Sequence, residues 1–186
     1  MREAPRGRLR PAVFLDRDGV LTEASVVGGV PQAPRLASEM RILPDAAEAC
    51  RTLAAAGLTL ICITNQPEIA RKNLDRAELR RMNEILQGEL GLDEVVVCPH
   101  DDGDGCGCRK PLPGMITEAA RRHDIDLGAS FTVGDRWRDV DAGRAAGTLT
   151  ILVDRGYDEP LREMPDITVG GIREAAEWII EQTPPH

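Results

Sequence analysis

The chain has 186 residues, which fits one domain at roughly 100–200 residues each. Asp and Glu number 31 against 23 Lys and Arg, and the net charge of −8 counts against a nucleic-acid or anionic-membrane surface as the main partner. The apolar share of 42% allows a core, but with only 3% aromatics that core must be built from Ala, Val, Leu and Ile.

Residues 1–11 carry Arg2, Arg6, Arg8 and Arg10 and lack the apolar core of a signal peptide, so a disordered tail is expected there. Ala12 to Leu15 is a short, wholly apolar run, the pattern of a strand buried on both faces. The polar stretch from Thr22 to about Leu43 contains Gly and Pro and reads as a loop, too short for a separate cap domain. Pro44-Asp45 opens a helix that runs to Ala56 and stops at Gly57. Leu58 to Ile63 is a second buried strand, ending in Thr64-Asn65-Gln66. After a loop from Pro67 to Leu74, Asp75 is an N-cap with Glu78 placed for a capping box, and helical spacing continues to Gly91.

Glu94 to Val97 is a third strand, and Cys98 to Pro113 a loop rich in Cys, Asp and Gly. A helix over 114–123, a strand over 131–133, a helix over 138–146, a strand over 149–153, a short strand over 167–169 and a closing helix over 172–181 complete the chain. Strands alternating with helices predict an α/β fold: a Rossmann-like, doubly wound, mostly parallel sheet with helices on both faces. Residues 12–183 are expected to form a single domain. No apolar run approaches the roughly 18 residues that span a membrane. The chain is therefore expected in the cytoplasm, with its five cysteines reduced or metal-bound.

The chemistry-bearing residues stand at strand ends. Asp16-x-Asp18-Gly19 follows the first strand, Thr64-Asn65 closes the second, and Gly134-Asp135 follows the fourth with Asp139 four residues on. Arg109 and Lys110 come from the loop after the third. In open α/β sheets, ligands bind outside the carboxyl ends of the strands. Two close carboxylates repel unless a proton or cation intervenes, and a hard cation such as Mg²⁺ prefers oxygen ligands. Phosphoryl transfer uses these groups: a carboxylate nucleophile, a second carboxyl as acid and base, and a metal and a Lys to stabilise charge.

In this order, D-x-D-G, T-N, Lys and G-D-x-x-x-D, the chain resembles the haloacid dehalogenase superfamily of phosphatases from Val13 to about Val153. The resemblance implies an aspartyl-phosphate mechanism, with Asp16 as nucleophile and Asp18 as general acid and base. It implies that Thr64 and Lys110 hold the phosphoryl group. It also implies Mg²⁺ on the Asp16 carboxylate, the Asp18 carbonyl and Asp135, with Asp139 as a supporting residue or helix cap.

Cys98-Pro99-His100 and Cys106-Gly107-Cys108 place three Cys and one His within eleven residues. Four such ligands suit a tetrahedral, structural Zn²⁺, which would fix the loop presenting Arg109 and Lys110. Cys50 and Cys62 read as core residues.

The zinc loop followed by R-K-P resembles the small, capless members of the family that act on heptose bisphosphate or on histidinol phosphate. That likeness implies a small phosphorylated metabolite as substrate. It puts Arg109, Asn65 and the stretch from Ala24 to Val27 near that substrate, and Arg136 and Arg71 as further arginines for a second phosphate. Glu68 would suit the ammonium group of histidinol phosphate. This chain departs from the pattern at Val20, Pro67, Glu68 and Arg136, positions expected to shape specificity. A nucleic-acid end phosphatase would need a basic groove, and a catalytically dead binder would lack one of the three aspartates. A monomer is expected.

Overall fold

The computed structural model describes residues 9–27 and 30–183. Strands β1 (Ala12–Leu15), β4 (Thr59–Asn65), β5 (Glu94–Cys98), β6 (Phe131–Gly134), β7 (Leu149–Val153) and β8 (Ile167–Val169) form one sheet. Its order is β5-β4-β1-β6-β7-β8, and every pairing is parallel. Helices α1 (Ala46–Ala55), α2 (Arg76–Leu90), α3 (Gly114–His123), α4 (Trp137–Ala146) and α5 (Ile172–Gln182) connect and cover it.

The strand period of two divides the core. Val13 and Leu15 of β1 face the layer of α1, α2 and α5, where they meet Leu53, Met82, Leu86 and Ile179. Ala12 and Phe14 face the opposite layer with Ile61, Ile63, Met115, Ile116 and Ala142. The fold is therefore the doubly wound, Rossmann-like α/β sandwich that the alternating elements predict. Cys50 and Cys62 are buried core residues without a disulfide, and burial pushes the Cys50 thiol up to about 12.

Four local expectations change. The stretch read as a loop from Thr22 to Leu43 contains an antiparallel ribbon, β2 (Ser25–Val27) against β3 (Val30–Gln32). Three-residue strands are too short for periodicity to reveal. Glu78 does not complete a capping box: Asp75 caps the Ala77 N–H, but the Glu78 carboxylate accepts from the Ala37 N–H at 2.6 Å instead. Glu78 thus ties the polar stretch to α2. The second strand runs over Thr59–Asn65, not Leu58–Ile63, because Thr64 and Asn65 still pair with β5. At the N-terminus, Arg10 pairs with the segment before β6, its N–H donating to the Asp124 carbonyl at 3.0 Å. Ordered pairing thus begins inside the expected tail, of which residues 1–8 lie outside the described residues. Among the described residues no helix is long and apolar enough to cross a membrane.

Candidate active site

Because all six strands run the same way, their carboxyl ends share one edge. The four ends that carry polar residues belong to β5, β4, β1 and β6, which are neighbours in the sheet. Asp16 follows β1, and its N–H still donates to the Val133 carbonyl of β6 at 2.9 Å. Thr64 and Asn65 end β4, Cys98 ends β5, and Asp135 follows β6. Asp16, Thr64, Asn65 and Asp135 line a cavity of about 440 Å³ together with Asp18, Gln66, Glu68, Arg109 and Lys110. That volume suits a small ligand.

Lys110 lies at the centre, almost fully buried. Its three ammonium protons meet three acceptors: Asp16 Oδ1 at 2.7 Å, Asp139 Oδ1 at 2.5 Å and the Ile63 carbonyl at 3.0 Å. Burial opposes the charge, but Asp139 and Asp16 outweigh it and hold Lys110 above the usual ammonium range. Asn65 clamps the main chain of Lys110, donating to its carbonyl at 3.0 Å and accepting from its N–H at 3.1 Å. Asn65 lines the cavity, yet these contacts belong to the lysine.

Asp139 has two partners. Its Oδ1 takes the Lys110 proton, and its Oδ2 accepts from the Arg136 N–H at 3.1 Å at the start of α4. Gly134 makes this fit, since a Cβ there would lie 2.0 Å from the Asp139 Cβ. Gly19 does the same between β1 and β6. Its φ is +98°, and a Cβ would lie 1.8 Å from Asp135 Oδ2.

Asp135 is buried, and neither carboxylate oxygen has a partner in hydrogen-bond geometry among the described residues, the Tyr157 hydroxyl being the nearby polar group that acts on it. Oxygens of Asp16, Asp135 and Asp139 lie within 4.8 Å of one another. Burial, with the charges of Asp16 and Asp139, pushes Asp135 up to about 8. Burial also pushes Asp16 up to about 6, against the opposing charge of Lys110. Orphaned oxygens among gathered carboxylates are a place that a hard divalent cation fits. The Asp18 side chain is not in that group. It accepts from Arg17 Nε and Nη2, from Gln66 Nε2 at 3.0 Å and from Thr22 Oγ1 at 3.1 Å.

The loop after β5 gathers its own ligands. Sulfurs of Cys98, Cys106 and Cys108 and Nδ1 of His100 lie within 4.8 Å of one another. The Cys98–Cys106 separation is 3.7 Å and the His100–Cys108 separation 3.3 Å. Zinc bonds of roughly 2.0–2.3 Å require separations of this order, so the donor set fits a tetrahedral Zn²⁺.

The rim arginines are less free than their sequence positions suggest. Arg71 holds Asp101 through two hydrogen bonds, at 2.6 and 2.7 Å, and Glu68 at 2.9 Å. Arg109 donates to Asp102 at 2.7 Å and to the His100 carbonyl at 3.2 Å. Arg136 is bound through Nε and Nη2 to Glu159. Of the stretch from Ala24 to Val27, Ala24 lines the cavity, and the side chains of Val26 and Val27 lie outside the described residues. Sequence reasoning passes over Arg17, Gln66, Asp102, Arg138 and Glu159. Arg17 and Arg138 sit at spacer positions of the two aspartate motifs, and a charged residue in a spacer was the available signal.

The family model HAD-hydrolase-like matches residues 107–175. A D-glycero-β-D-manno-heptose-1,7-bisphosphate 7-phosphatase of Bordetella bronchiseptica is 38% identical over 77% of this chain and 80% of its own length. A D-glycero-D-manno-heptose-1,7-bisphosphate 7-phosphatase of Thermosynechococcus vestitus is 34% identical over 95% of this chain and 98% of its own. The crystal structure of the B. bronchiseptica D,D-heptose 1,7-bisphosphate phosphatase, complexed with magnesium and phosphate, superposes with a TM-score of 0.80 at 33% identity. That match covers 93% of this chain and 99% of the other. With the same sheet and this shared sequence, the chain belongs to the haloacid dehalogenase-like hydrolases and is a phosphatase, a hydrolase of phosphoric monoesters.

Proposed function

We propose that residues 12–183 act as one Mg²⁺-dependent phosphatase domain that removes the 7-phosphate of a heptose 1,7-bisphosphate in the cytoplasm. One observation carries the reading: the buried group of Asp16, Asp135, Asp139 and Lys110 opens on a small cavity rimmed by arginines. The heptose 1,7-bisphosphate phosphatases among the relatives support the substrate class.

Asp16 is the nucleophile. Lys110 holds its Oδ1 and so orients the carboxylate, whose other oxygen accepts no hydrogen bond among the described residues. Attack on phosphorus forms an aspartyl-phosphate and breaks the bond to the sugar oxygen. The Asp18 carboxyl gives that oxygen its proton, and the resulting carboxylate then takes a proton from water as the water attacks phosphorus. Phosphate leaves, and the Asp16 carboxylate is restored. Thr64 donates to the phosphoryl oxygens, and the Lys110 ammonium, held beside Asp16, supplies positive charge next to them. Asp16, the Asp18 carbonyl and Asp135 would hold Mg²⁺, which supplies positive charge against the carboxylates and the transferring group. Cys98, His100, Cys106 and Cys108 would hold a structural Zn²⁺ with no open position.

Histidinol phosphate is the second reading, and it needs a free rim carboxylate for its ammonium group. Glu68 is committed elsewhere: Oε1 accepts from Arg71 at 2.9 Å, and Oε2 accepts from Asn73 at 2.8 Å with Arg35 at 3.7 Å. The bisphosphate is therefore preferred. Phosphate release from both substrates with Mg²⁺, for wild type and Asp16→Asn, tests the proposal. We expect the higher kcat/KM on the bisphosphate and loss of turnover in the variant. A clear preference for histidinol phosphate would reverse the substrate assignment, and turnover by Asp16→Asn would overturn the nucleophile.

A further inference from the structure

The cavity wall carries a chain of alternating charges. Arg35, Glu68 and Arg71 run along one part, with Asp101 paired to Arg71 outside the lining, and Asp102, Arg109 and Arg138 along the next. Most of its guanidinium groups are saturated. Arg71 holds two carboxylates, Arg109 holds Asp102 and a main-chain carbonyl, and Arg136 holds Glu159. Arg35 and Arg138 differ: neither side chain makes a hydrogen bond among the described residues, and Arg138, 27% exposed against 58% for Arg35, is the more buried. The carboxylate oxygen nearest to Arg138, Asp102 Oδ1, is 3.6 Å away and already accepts from Arg109 at 2.7 Å.

In this corner Arg109, Arg136 and Arg138 have only Asp102 and Glu159 as ion-pair partners. The cavity lining as a whole is balanced, six carboxylates against six Lys and Arg side chains. Burial works against the charge of Arg138, and although Asp102 favours that charge, burial with Arg109 and Arg136 holds the guanidinium below the usual arginine range. A bound anion would relieve this. The guanidinium carbon of Arg138 lies 4.7 Å from the centre of the Trp137 ring, which also carries Arg162 at 3.8 Å. The result is a planar donor fork, partly desolvated, whose one ion-pair contact is a long one shared with Arg109. That is the state in which an arginine binds a phosphate with two parallel hydrogen bonds.

We propose that Arg138, rather than Arg136 or Arg71, receives the second, non-transferred phosphate of a sugar bisphosphate and so sets the preference for bisphosphate over monophosphate. The assignment rests on the sugar-bisphosphate reading above. Arg138 is one residue from Asp139, which holds the Lys110 ammonium, so it joins the distal phosphate to the element that orders the reacting end.

The test compares kcat and KM for heptose 1,7-bisphosphate and heptose 7-phosphate in wild type, Arg138→Gln and Arg138→Lys. The second substrate keeps the transferred phosphate and lacks the anomeric one. In Arg138→Gln we expect KM for the bisphosphate to rise about 10- to 100-fold, the range for losing a charge-assisted hydrogen bond. The bisphosphate-to-monophosphate ratio of kcat/KM should fall by a similar factor, and Arg138→Lys should restore part of it. Equal losses on both substrates would overturn the assignment and leave Arg138 a structural residue. A wild type that prefers histidinol phosphate would instead refute the underlying reaction, and would do so before any variant is made.

Discussion

Arg17 is wholly buried, and its guanidinium grips the carboxylate of the next residue in the chain, Asp18, with Nη2 at 2.9 Å from Oδ2. The other arm of Arg17 donates to Asn83 of α2 at 3.1 Å. The proposed acid and base is thus anchored to a helix through its own neighbour. Removing one partner of a buried pair leaves the other charge uncompensated, at a cost of about 3–5 kcal/mol. Asp18 is partly exposed, so the lower end applies. Arg17→Met should lose about 3 kcal/mol of stability in urea unfolding and lower kcat more than it changes KM. Wild-type stability in that variant would mean that the pair contributes nothing net.

The Asn65–Lys110 clamp gives a second outcome. Asn65→Ala removes two hydrogen bonds to the Lys110 main chain, together roughly 1–3 kcal/mol. The lysine keeps its charge but loses its fixed position, so kcat should drop about 10- to 100-fold, as for other misplaced catalytic groups. Steady-state phosphate release measures this. If KM rises and kcat holds, Asn65 contacts substrate directly.

The loop from Cys98 to Pro113 presents Lys110 to the site, and its four metal-competent side chains lie at the root of that loop. Purified protein should carry one zinc per chain by elemental analysis. Chelation should abolish most activity and lower the melting temperature, and Zn²⁺ should restore both. Recovery of full activity with Mg²⁺ alone would remove zinc from the account.

Asp135 and Asp16, pushed up to about 8 and about 6, would set the pH dependence of the proposed Mg²⁺ binding. A cation binds the ionised carboxylates. Below a raised pKa it must first displace a proton, so its affinity falls as pH falls. Between pH 8 and pH 6 the Mg²⁺ dissociation constant should rise by up to about tenfold per pH unit for each displaced proton. Calorimetric titration at pH 6, 7 and 8.5 reads this directly. A dissociation constant flat across that range would mean that both groups are already ionised.

Much of the site is legible along the chain because a parallel sheet converts sequence order into place. Residues that follow strands come to one edge, so Asp16, Thr64, Lys110 and Asp135 could be expected together before any coordinates. The cluster of Cys98, His100, Cys106 and Cys108 is legible for a simpler reason, since the four lie within one loop. The apolar run at Ala12–Leu15 and the glycine after α2 likewise act over a few residues, where local stereochemistry decides the outcome.

The tertiary structure decided how charges pair across the fold. Arg136 reads as a substrate arginine until Glu159, from the segment after β7, meets it. Glu78 reads as a cap until Ala37 offers a nearer N–H. Arg17 reads as a spacer until the fold closes over it, and Arg138 is left with only a long contact to Asp102 because Arg109 takes the short one. A side chain's type and spacing set what it can bond. Which partner it bonds depends on distances between segments far apart in sequence, and only packing fixes those distances.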